Sequence, residues 1–279
     1  MAYTAEISRV NSSCFVFVID QSGSMNDSFG GADDGSKKAD ELASAINRLL
    51  SNLIIKCSKD NEVRRYFQVG IIGYGAGVGP ALGGNLSGQE LVWIDDIYSN
   101  PIRVEDRPRK VSDGAGGLVE VMTKFPVWLE PVADNGTPMC RALTYAYTIL
   151  KDWVVQHPSS FPPIIIHITD GESSDGDPSS LAEALTQLQT QDGNAILLNL
   201  HLSSRRSSTI HFPSSPDSLP DEYARLLFQM SSLLPDYMRK EAQGAGYNVS
   251  DSVRGFVFNA KIEDVISFLE IGTKPSNMR

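Results

Sequence analysis

The sequence has few cysteines, a deficit of positive charge and no long apolar run. Its 279 residues include three cysteines, which form no spacing pattern. The 24 Lys and Arg against 34 Asp and Glu give a net charge of −10, which argues against general affinity for nucleic-acid phosphates or anionic membranes. No apolar stretch approaches a membrane span, and the N-terminus lacks a charged-then-apolar leader. We therefore expect a cytoplasmic protein whose cysteines are buried in a reducing compartment.

Several catalytic signatures are also missing. The sequence contains neither the phosphate-binding loop Gly-x-x-x-x-Gly-Lys-Ser/Thr nor the nucleophile elbow Gly-x-Ser-x-Gly. The glycines at 70–79 do not have the spacing of the dinucleotide fingerprint. A triad of Ser22, a histidine and Asp170 stays open on sequence alone, but a cation bound by hydroxyls explains these residues more simply. We predict that the chain is not an enzyme.

What the sequence does contain is a group of oxygen-bearing side chains after a predicted buried strand. Residues 14–19 are apolar and rich in β-branched and aromatic types, which is typical of a strand buried on both faces of a parallel sheet. Asp20, Ser22 and Ser24 follow with a spacing of two, so their oxygens can converge in an extended or gently turning backbone. Ligands of parallel sheets gather at the carboxyl ends of the strands. This loop is therefore a candidate cation site.

A second predicted strand, at 163–170, delivers Asp170 at its carboxyl end. Between the two strands, Thr137 and Pro138 open a predicted helix that runs to about residue 156. Thr137 is the candidate N-cap of this helix, with Pro138 at the first helical position. Hard oxygen donors with few charges suit Mg²⁺, Mn²⁺ or Ca²⁺ and not zinc.

Predicted strands and helices alternate along the chain. The strands are expected at 14–20, 65–74, 163–170, 195–202 and 255–259, with a short edge strand at 91–94. The helices are expected at 36–57, 138–156, 179–191, 221–243 (as more than one helix) and 262–271. This alternation predicts an α/β fold with a mostly parallel sheet, helices on both faces and right-handed crossovers.

Five positions resemble, in order and residue type, the metal-ion-dependent adhesion site of the von Willebrand factor A (vWA) family: Asp20, Ser22, Ser24, Thr137 and Asp170. The resemblance implies a doubly wound, Rossmann-like sheet of six strands in the order 3-2-1-4-5-6 with one antiparallel edge. It also implies that Ser22 and Ser24 bind a divalent cation directly and that Thr137 binds it directly or through water. Asp20 and Asp170 are implied to hold the water ligands.

The same resemblance implies a metal-dependent protein-binding module. With two carboxylates near it, a bound cation, Mg²⁺ in the first place, keeps positive charge that attracts an Asp or Glu side chain of a partner protein. The chain resembles the intracellular, bacterial-type stand-alone members, including the tellurium-resistance-type group. Because such members often accompany kinases, phosphatases or AAA-type ATPases, an adaptor for one of these systems is a second hypothesis.

A phosphohydrolase of the haloacid-dehalogenase type is the competing enzyme hypothesis. Such enzymes also use strand-end aspartates and Mg²⁺, with a second Asp two residues after the nucleophile as acid and base. Here Ser22 holds that position, and no lysine is obviously placed for charge stabilisation. The sequence therefore favours binding over catalysis.

We expect one domain over residues 1–279, with its core at about 12–272 and insertions at about 75–132 and 203–220. The first insertion carries a basic stretch at 103–110, which is expected to be a solvated loop with self-paired charges. The second is rich in Ser and Pro and follows a strand, so it should lie on the same rim as the metal.

Overall fold

The computed structural model of the protein describes residues 3–28, 35–112, 117–202 and 208–273. Fourteen strands lie in these ranges: β1 Ser13–Asp20, β2 Ser58–Lys59, β3 Glu62–Val63, β4 Phe67–Tyr74, β5 Val78–Pro80, β6 Val92–Trp93, β7 Arg103–Ser112, β8 Leu118–Val127, β9 Ile164–Thr169, β10 Gln189–Thr190, β11 Gly193–Asn194, β12 Ile196–Leu202, β13 Ile210–His211 and β14 Phe256–Ala260. Seven α-helices accompany them: α1 Lys38–Cys57, α2 Ile94–Ser99, α3 Met139–Gln156, α4 Ser179–Gln187, α5 Glu222–Met230, α6 Asp236–Gly244 and α7 Ile262–Thr273.

The central strand β1 is buried along its whole length. Its side chains alternate between the two faces of the sheet, as the pleat requires. Phe15, Phe17 and Ile19 enter a core cluster with α1 and α7, whereas Val16 and Val18 enter a second cluster with α3, α4 and α5. The continuous apolar run of this strand follows from the two covered faces.

The main sheet has eight strands in the order β13-β14-β12-β9-β1-β4-β5, with β6 also paired to β4. Strands β14, β12, β9, β1 and β4 are parallel, and β5, β6 and β13 are antiparallel to their neighbours. The predicted α/β class and the predicted order of the central strands are confirmed. The short edge strand predicted at 91–94 is present as β6. The predicted number of six is too low, because β5 and β13 are only three and two residues long and give no periodic signal of their own.

The segment at 103–110 is a strand and not the predicted loop. Strands β7 and β8 pair over ten residue pairs in a ribbon that stands outside the main sheet. The expectation of self-paired charges is correct, since Arg103 pairs with Glu105 and Glu130, and Lys124 pairs with Asp106 across the ribbon. The density of charged residues in β7 concealed the strand, although Val119, Val121, Phe125 and Val127 occupy alternate positions of β8.

The segment that follows the ribbon is bound to the main body by a buried asparagine on α1, Asn47. The Nδ2 of Asn47 donates to the Leu129 carbonyl at 2.8 Å. Its Oδ1 accepts from the backbone N–H of Trp128 at 2.9 Å and of Leu129 at 3.0 Å. One side chain thus satisfies three backbone groups that have no sheet partner where the chain leaves the ribbon.

Part of the second predicted insertion, residues 203–207, lies outside the described residues. The described remainder contains β13 and a 3₁₀ turn at Pro216–Ser218. No helix in the described part of the chain is both long and apolar enough to cross a membrane.

Candidate metal centre

The two predicted aspartates lie at the ends of neighbouring strands. Strands β1 and β9 are parallel, with Ile19 opposite Ile168. The residues that follow in the two strands, Asp20 in one and Thr169 and Asp170 in the other, therefore lie at the same end of the sheet. This end is the switch point at which the helix connections depart to opposite faces, where a ligand site is expected.

Four of the five predicted residues form one hydrogen-bonded chain. The hydroxyl oxygens of Ser22 and Ser24 are 3.0 Å apart, and the Ser24 hydroxyl donates to Asp170 Oδ1 at 2.7 Å. The backbone N–H of Ser22 donates to Asp20 Oδ1 at 2.8 Å. The spacing of two in the Asp20-x-Ser22-x-Ser24 segment thus brings the oxygens together as predicted, although the segment turns into a 3₁₀ helix at Gly23–Asn26.

Asp20 is completely buried. Its Oδ2 accepts a hydrogen bond from the Thr169 hydroxyl at 2.8 Å. The pKa of the Asp20 carboxyl is raised to about 6, chiefly by burial and also by the nearby charge of Asp170, while hydrogen bonds from Ser22 and Thr169 oppose the rise. Two carboxylates held this close in a desolvated setting favour a cation between or beside them.

Thr137 does not act as the predicted N-cap. Helix α3 begins at Met139, and Pro138 occupies the cap position without a side-chain hydrogen bond. The Thr137 backbone is instead tied to the loop after β9: its N–H donates to Ser174 Oγ at 3.1 Å, and its carbonyl accepts from the Ser174 N–H at 2.9 Å. The Thr137 hydroxyl makes no hydrogen bond to another described residue.

The first backbone N–H groups of α3 are capped from a distance by Asp175. Its carboxylate accepts from the N–H of Cys140 at 2.9 Å and of Arg141 at 3.0 Å. Burial alone would raise the pKa of Asp175, but these hydrogen bonds outweigh it and lower the pKa. A carboxylate is favoured at this place because unpaired N–H groups and the helix dipole make the helix N-terminus electropositive.

The loop that carries Thr137 also lies against the loop of the two serines. The Gly23 N–H donates to the Asn135 carbonyl at 2.8 Å, and the Asp134 N–H donates to the Gln21 carbonyl at 2.7 Å. The structure therefore brings the backbone of the loop at 134–137, which carries Thr137, to the same rim as Asp20 and Asp170. It forms no hydrogen bond between the Thr137 hydroxyl and the other four predicted residues.

Sequence reasoning missed Lys38, the first residue of α1. Its side chain is fully buried, and its ammonium forms an ion pair with Asp170 Oδ2. The prediction that no lysine is obviously placed for charge stabilisation is contradicted by this ion pair. A signal was present, because Lys38 lies four residues before Leu42 and so continues the apolar stripe of α1 towards the sheet.

Two further side chains close the site on the side of β12 and α5. The Tyr223 hydroxyl is 3.3 Å from the Thr169 hydroxyl. His201 lies beside Thr169 in the register of β12 with β9, and burial lowers its pKa to about 4. Both side chains are therefore uncharged at pH 7, and they border the site without adding charge to it.

The donor set consists of hydroxyls and two carboxylates. In the described part of the chain, no three His, Cys, Asp or Glu side chains lie together in a cluster that could hold a metal ion. The oxygens of Ser22, Ser24 and Asp170 are the hard ligands that Mg²⁺ and Ca²⁺ prefer, and hydrogen bonds of 3.0 and 2.7 Å hold them next to one another. The residues present thus fit a hard divalent cation.

Comparisons with known proteins give distant likenesses among solved structures. A scan against protein-family models finds no match, and neither does a search of curated proteins. Among solved structures, the manganese-loaded TRAP protein of Plasmodium vivax is similar, with 13% identity and a TM-score of 0.42, over 95% of this chain and 74% of that chain. The vWF domain of the type V pili tip protein Mfa5 from Porphyromonas gingivalis has 14% identity and a TM-score of 0.33, over 58% and 39%.

A third similar structure is the adhesive tip pilin GBS104 from Group B Streptococcus agalactiae, with 12% identity and a TM-score of 0.30, over 87% of this chain and 72% of that chain. This chain spans less than half of the Mfa5 vWF-domain chain. At these identities and scores, no ligand or partner is carried over from those proteins.

Proposed function

We propose that this protein is a metal-dependent protein-binding module. The metal would be held by Asp20, Ser22, Ser24, Thr137 and Asp170. One observation carries the proposal, namely the hydrogen-bonded chain from Asp20 through Ser22 and Ser24 to Asp170 at the switch point of the sheet. The proposed unit is a single cytoplasmic domain over residues 1–279.

Each residue has a role that its chemistry supports. The Ser22 and Ser24 hydroxyls offer neutral oxygens, so they would hold Mg²⁺, Mn²⁺ or Ca²⁺ without cancelling its charge. Asp20 and Asp170 supply the negative charge and accept hydrogen bonds from the serines. Thr137 would turn its hydroxyl to the cation, since its loop already contacts the serine loop. The bound cation supplies an open coordination position to which an Asp or Glu carboxylate of a partner can bind.

The charged residues beside the site limit the kind of partner surface that can bind there. An open cleft beside the site is lined by Glu172, Asp177 and Glu222, with Arg225 as a basic residue of its wall. The chain itself has a net charge of −10. A uniformly acidic partner would be repelled, so the partner surface would combine one carboxylate for the cation with basic or neutral residues around it.

Calorimetric titration with MgCl₂, MnCl₂ and CaCl₂ tests the site. We expect one cation per chain, with binding abolished in Asp20→Ala and weakened at least about ten-fold in Ser24→Ala. Asp27→Ala is the matched control, because Asp27 is exposed in the same loop and its carboxylate is not part of the chain of hydrogen bonds. Unchanged binding in Asp20→Ala would contradict the site assignment.

Capture from a native lysate tests the partner role. Proteins that bind the wild-type chain with Mg²⁺, but neither with EDTA nor in Asp20→Ala, would be the partners. Dependence of the association on nucleotide as well as metal would favour the adaptor hypothesis for an AAA-type ATPase.

A phosphohydrolase is the competing function. Lys38 removes one argument against phosphohydrolase chemistry, but Ser22 still stands where a carboxylate is needed. Phosphatase activity of the purified chain that is lost in Asp20→Asn would favour the enzyme.

A further inference from the structure

Lys38 combines two features that are each unfavourable for a lysine. Its side chain has no solvent exposure, and an isolated ammonium loses much solvation on burial. It is also the first residue of α1, a helix of 20 residues, where the dipole disfavours positive charge. A strong negative counter-charge is needed to keep a lysine there, and Asp170 supplies it.

The chain positions this ammonium through its backbone. The Lys38 N–H donates to the Asp27 carbonyl at 3.1 Å, and Lys37 forms an antiparallel bridge with Ser28. The start of α1 is thereby fixed to the turn that follows Ser24. Helix α1, the next element after the loop of Ser22 and Ser24, therefore places the Lys38 ammonium beside the Asp170 carboxylate at the end of β9.

Asp170 uses both carboxylate oxygens in this arrangement. Oδ1 accepts from the Ser24 hydroxyl at 2.7 Å, while Oδ2 pairs with the Lys38 ammonium. The ion pair and the hydrogen bond together fix the orientation of the carboxylate. The side chain is therefore held towards Ser24 with no divalent cation required.

We propose that Lys38 is an internal cation of the site: it holds Asp170 in place before a metal binds and lowers the affinity for the divalent cation. The inference rests on the metal site proposed above. Asp20 and Asp170 carry two negative charges, and the ammonium of Lys38 reduces their sum to −1. A divalent cation placed beside Ser24 and Asp170 is repelled by the ammonium within a few ångströms, in a desolvated setting where charge interactions are strong.

Lys38→Met tests the inference because Met fills a similar volume without charge. Calorimetric titration with MgCl₂ should give a dissociation constant at least about ten-fold lower than that of the wild-type chain. The melting temperature in EDTA should fall by roughly 5–10 °C, because the buried Asp170 carboxylate loses its counter-charge and keeps only the hydrogen bond from Ser24 among the contacts described above. Lys37→Met is the matched control: it removes the same charge one residue earlier from an exposed side chain, and both readouts should stay at the wild-type values.

A second substitution separates charge from packing. Adding Asp170→Asn to Lys38→Met removes the unpaired carboxylate, so the melting temperature in EDTA should recover, whereas a loss caused by packing alone would remain. If Lys38→Met does not fold, Lys38→Gln serves instead, since it removes the charge but keeps an N–H donor for Asp170.

The outcomes distinguish this inference from the proposed function. Equal Mg²⁺ affinity in the wild-type chain and Lys38→Met would overturn the role of Lys38 and leave the metal site standing. Binding in the variant alone would support the competition by Lys38 but would contradict the proposed function of the wild-type chain as a metal-dependent module. Absence of binding in both chains would overturn the metal site and, with it, the competition by Lys38. An unchanged melting temperature of Lys38→Met in EDTA would overturn its role in holding Asp170.

Discussion

Lowering the pH should destabilise this protein through one buried imidazole, His167. The ring lies in β9 and is fully buried. The Tyr74 hydroxyl is 2.8 Å from Nε2, and Asn199 Oδ1 is 2.8 Å from Nδ1. Because the amide oxygen can only accept, Nδ1 carries the proton, and Tyr74 then donates to Nε2. The network is complete with a neutral imidazole.

The magnitude follows from the pKa in the two states. Burial lowers the pKa of His167 to about 4, against about 6.5 in the unfolded chain. Between these values the unfolded state binds more protons than the folded state, so stability is fully present above pH 6.5 and is lost as the pH falls towards 4. This group alone should lower the free energy of unfolding by about 2 kcal/mol at pH 5 and by about 3 kcal/mol below pH 4.

Urea unfolding at several pH values between 7.5 and 4.5 measures the effect, and His167→Leu isolates it. The variant should be less stable at pH 7.5 by about 2–4 kcal/mol, because Tyr74 and Asn199 lose a buried partner. Its deficit should shrink by about 2 kcal/mol at pH 5, since only the wild-type chain must keep an imidazole neutral. Tyr74→Phe is the matched control: it removes one hydrogen bond of the network but keeps the titrating ring and its burial, so its curve should keep most of the pH dependence of the wild type. Parallel curves for His167→Leu and the wild type would refute the reasoning.

Two further predictions concern polar side chains that satisfy backbone groups at a distance. Asp175→Asn should lower the free energy of unfolding by about 1 kcal/mol and speed amide exchange in the first turn of α3, because an amide caps the helix less strongly than a carboxylate; Asp177→Asn, in the same loop but not on α3, should leave that exchange unchanged. Asn47→Leu should cost about 3–5 kcal/mol in urea unfolding, because three buried backbone groups lose their partner; a loss below 1 kcal/mol would show that water replaces the amide.

The sequence predicted those parts of the fold that local patterns encode. The apolar runs before Asp20 and Asp170 marked β1 and β9 as buried strands, and the alternation of strands with helices then made their carboxyl ends meet. The convergence of Ser22 and Ser24 followed from their spacing. These predictions needed only periodicity and one topological rule.

The remaining features depend on partners that are distant in sequence. The cap of α3 could not be assigned from the sequence because Thr137 and Pro138 look like a local cap, whereas the first N–H groups of the helix are capped by the Asp175 carboxylate from the loop after β9. The ribbon of β7 and β8 was hidden because Arg103 and its neighbours pair with charges on the other strand and on the following segment. Local propensity is a weak guide where such contacts decide the conformation.

Lys38 shows how a single missed residue changes the electrostatics of the candidate site. With two carboxylates alone, the charges of the site and a divalent cation would sum to zero. The positive charge that was expected from the sequence to attract a partner carboxylate would then be limited to the open coordination position. With the ammonium of Lys38 beside Asp170, the loaded site would carry one net positive charge within a chain of net charge −10. Attraction of a partner carboxylate would then be confined to short range, since beyond about 10 Å the acidic surface and salt screening dominate. Such a site would select a partner by the fit of one carboxylate and not by the overall charge of its surface.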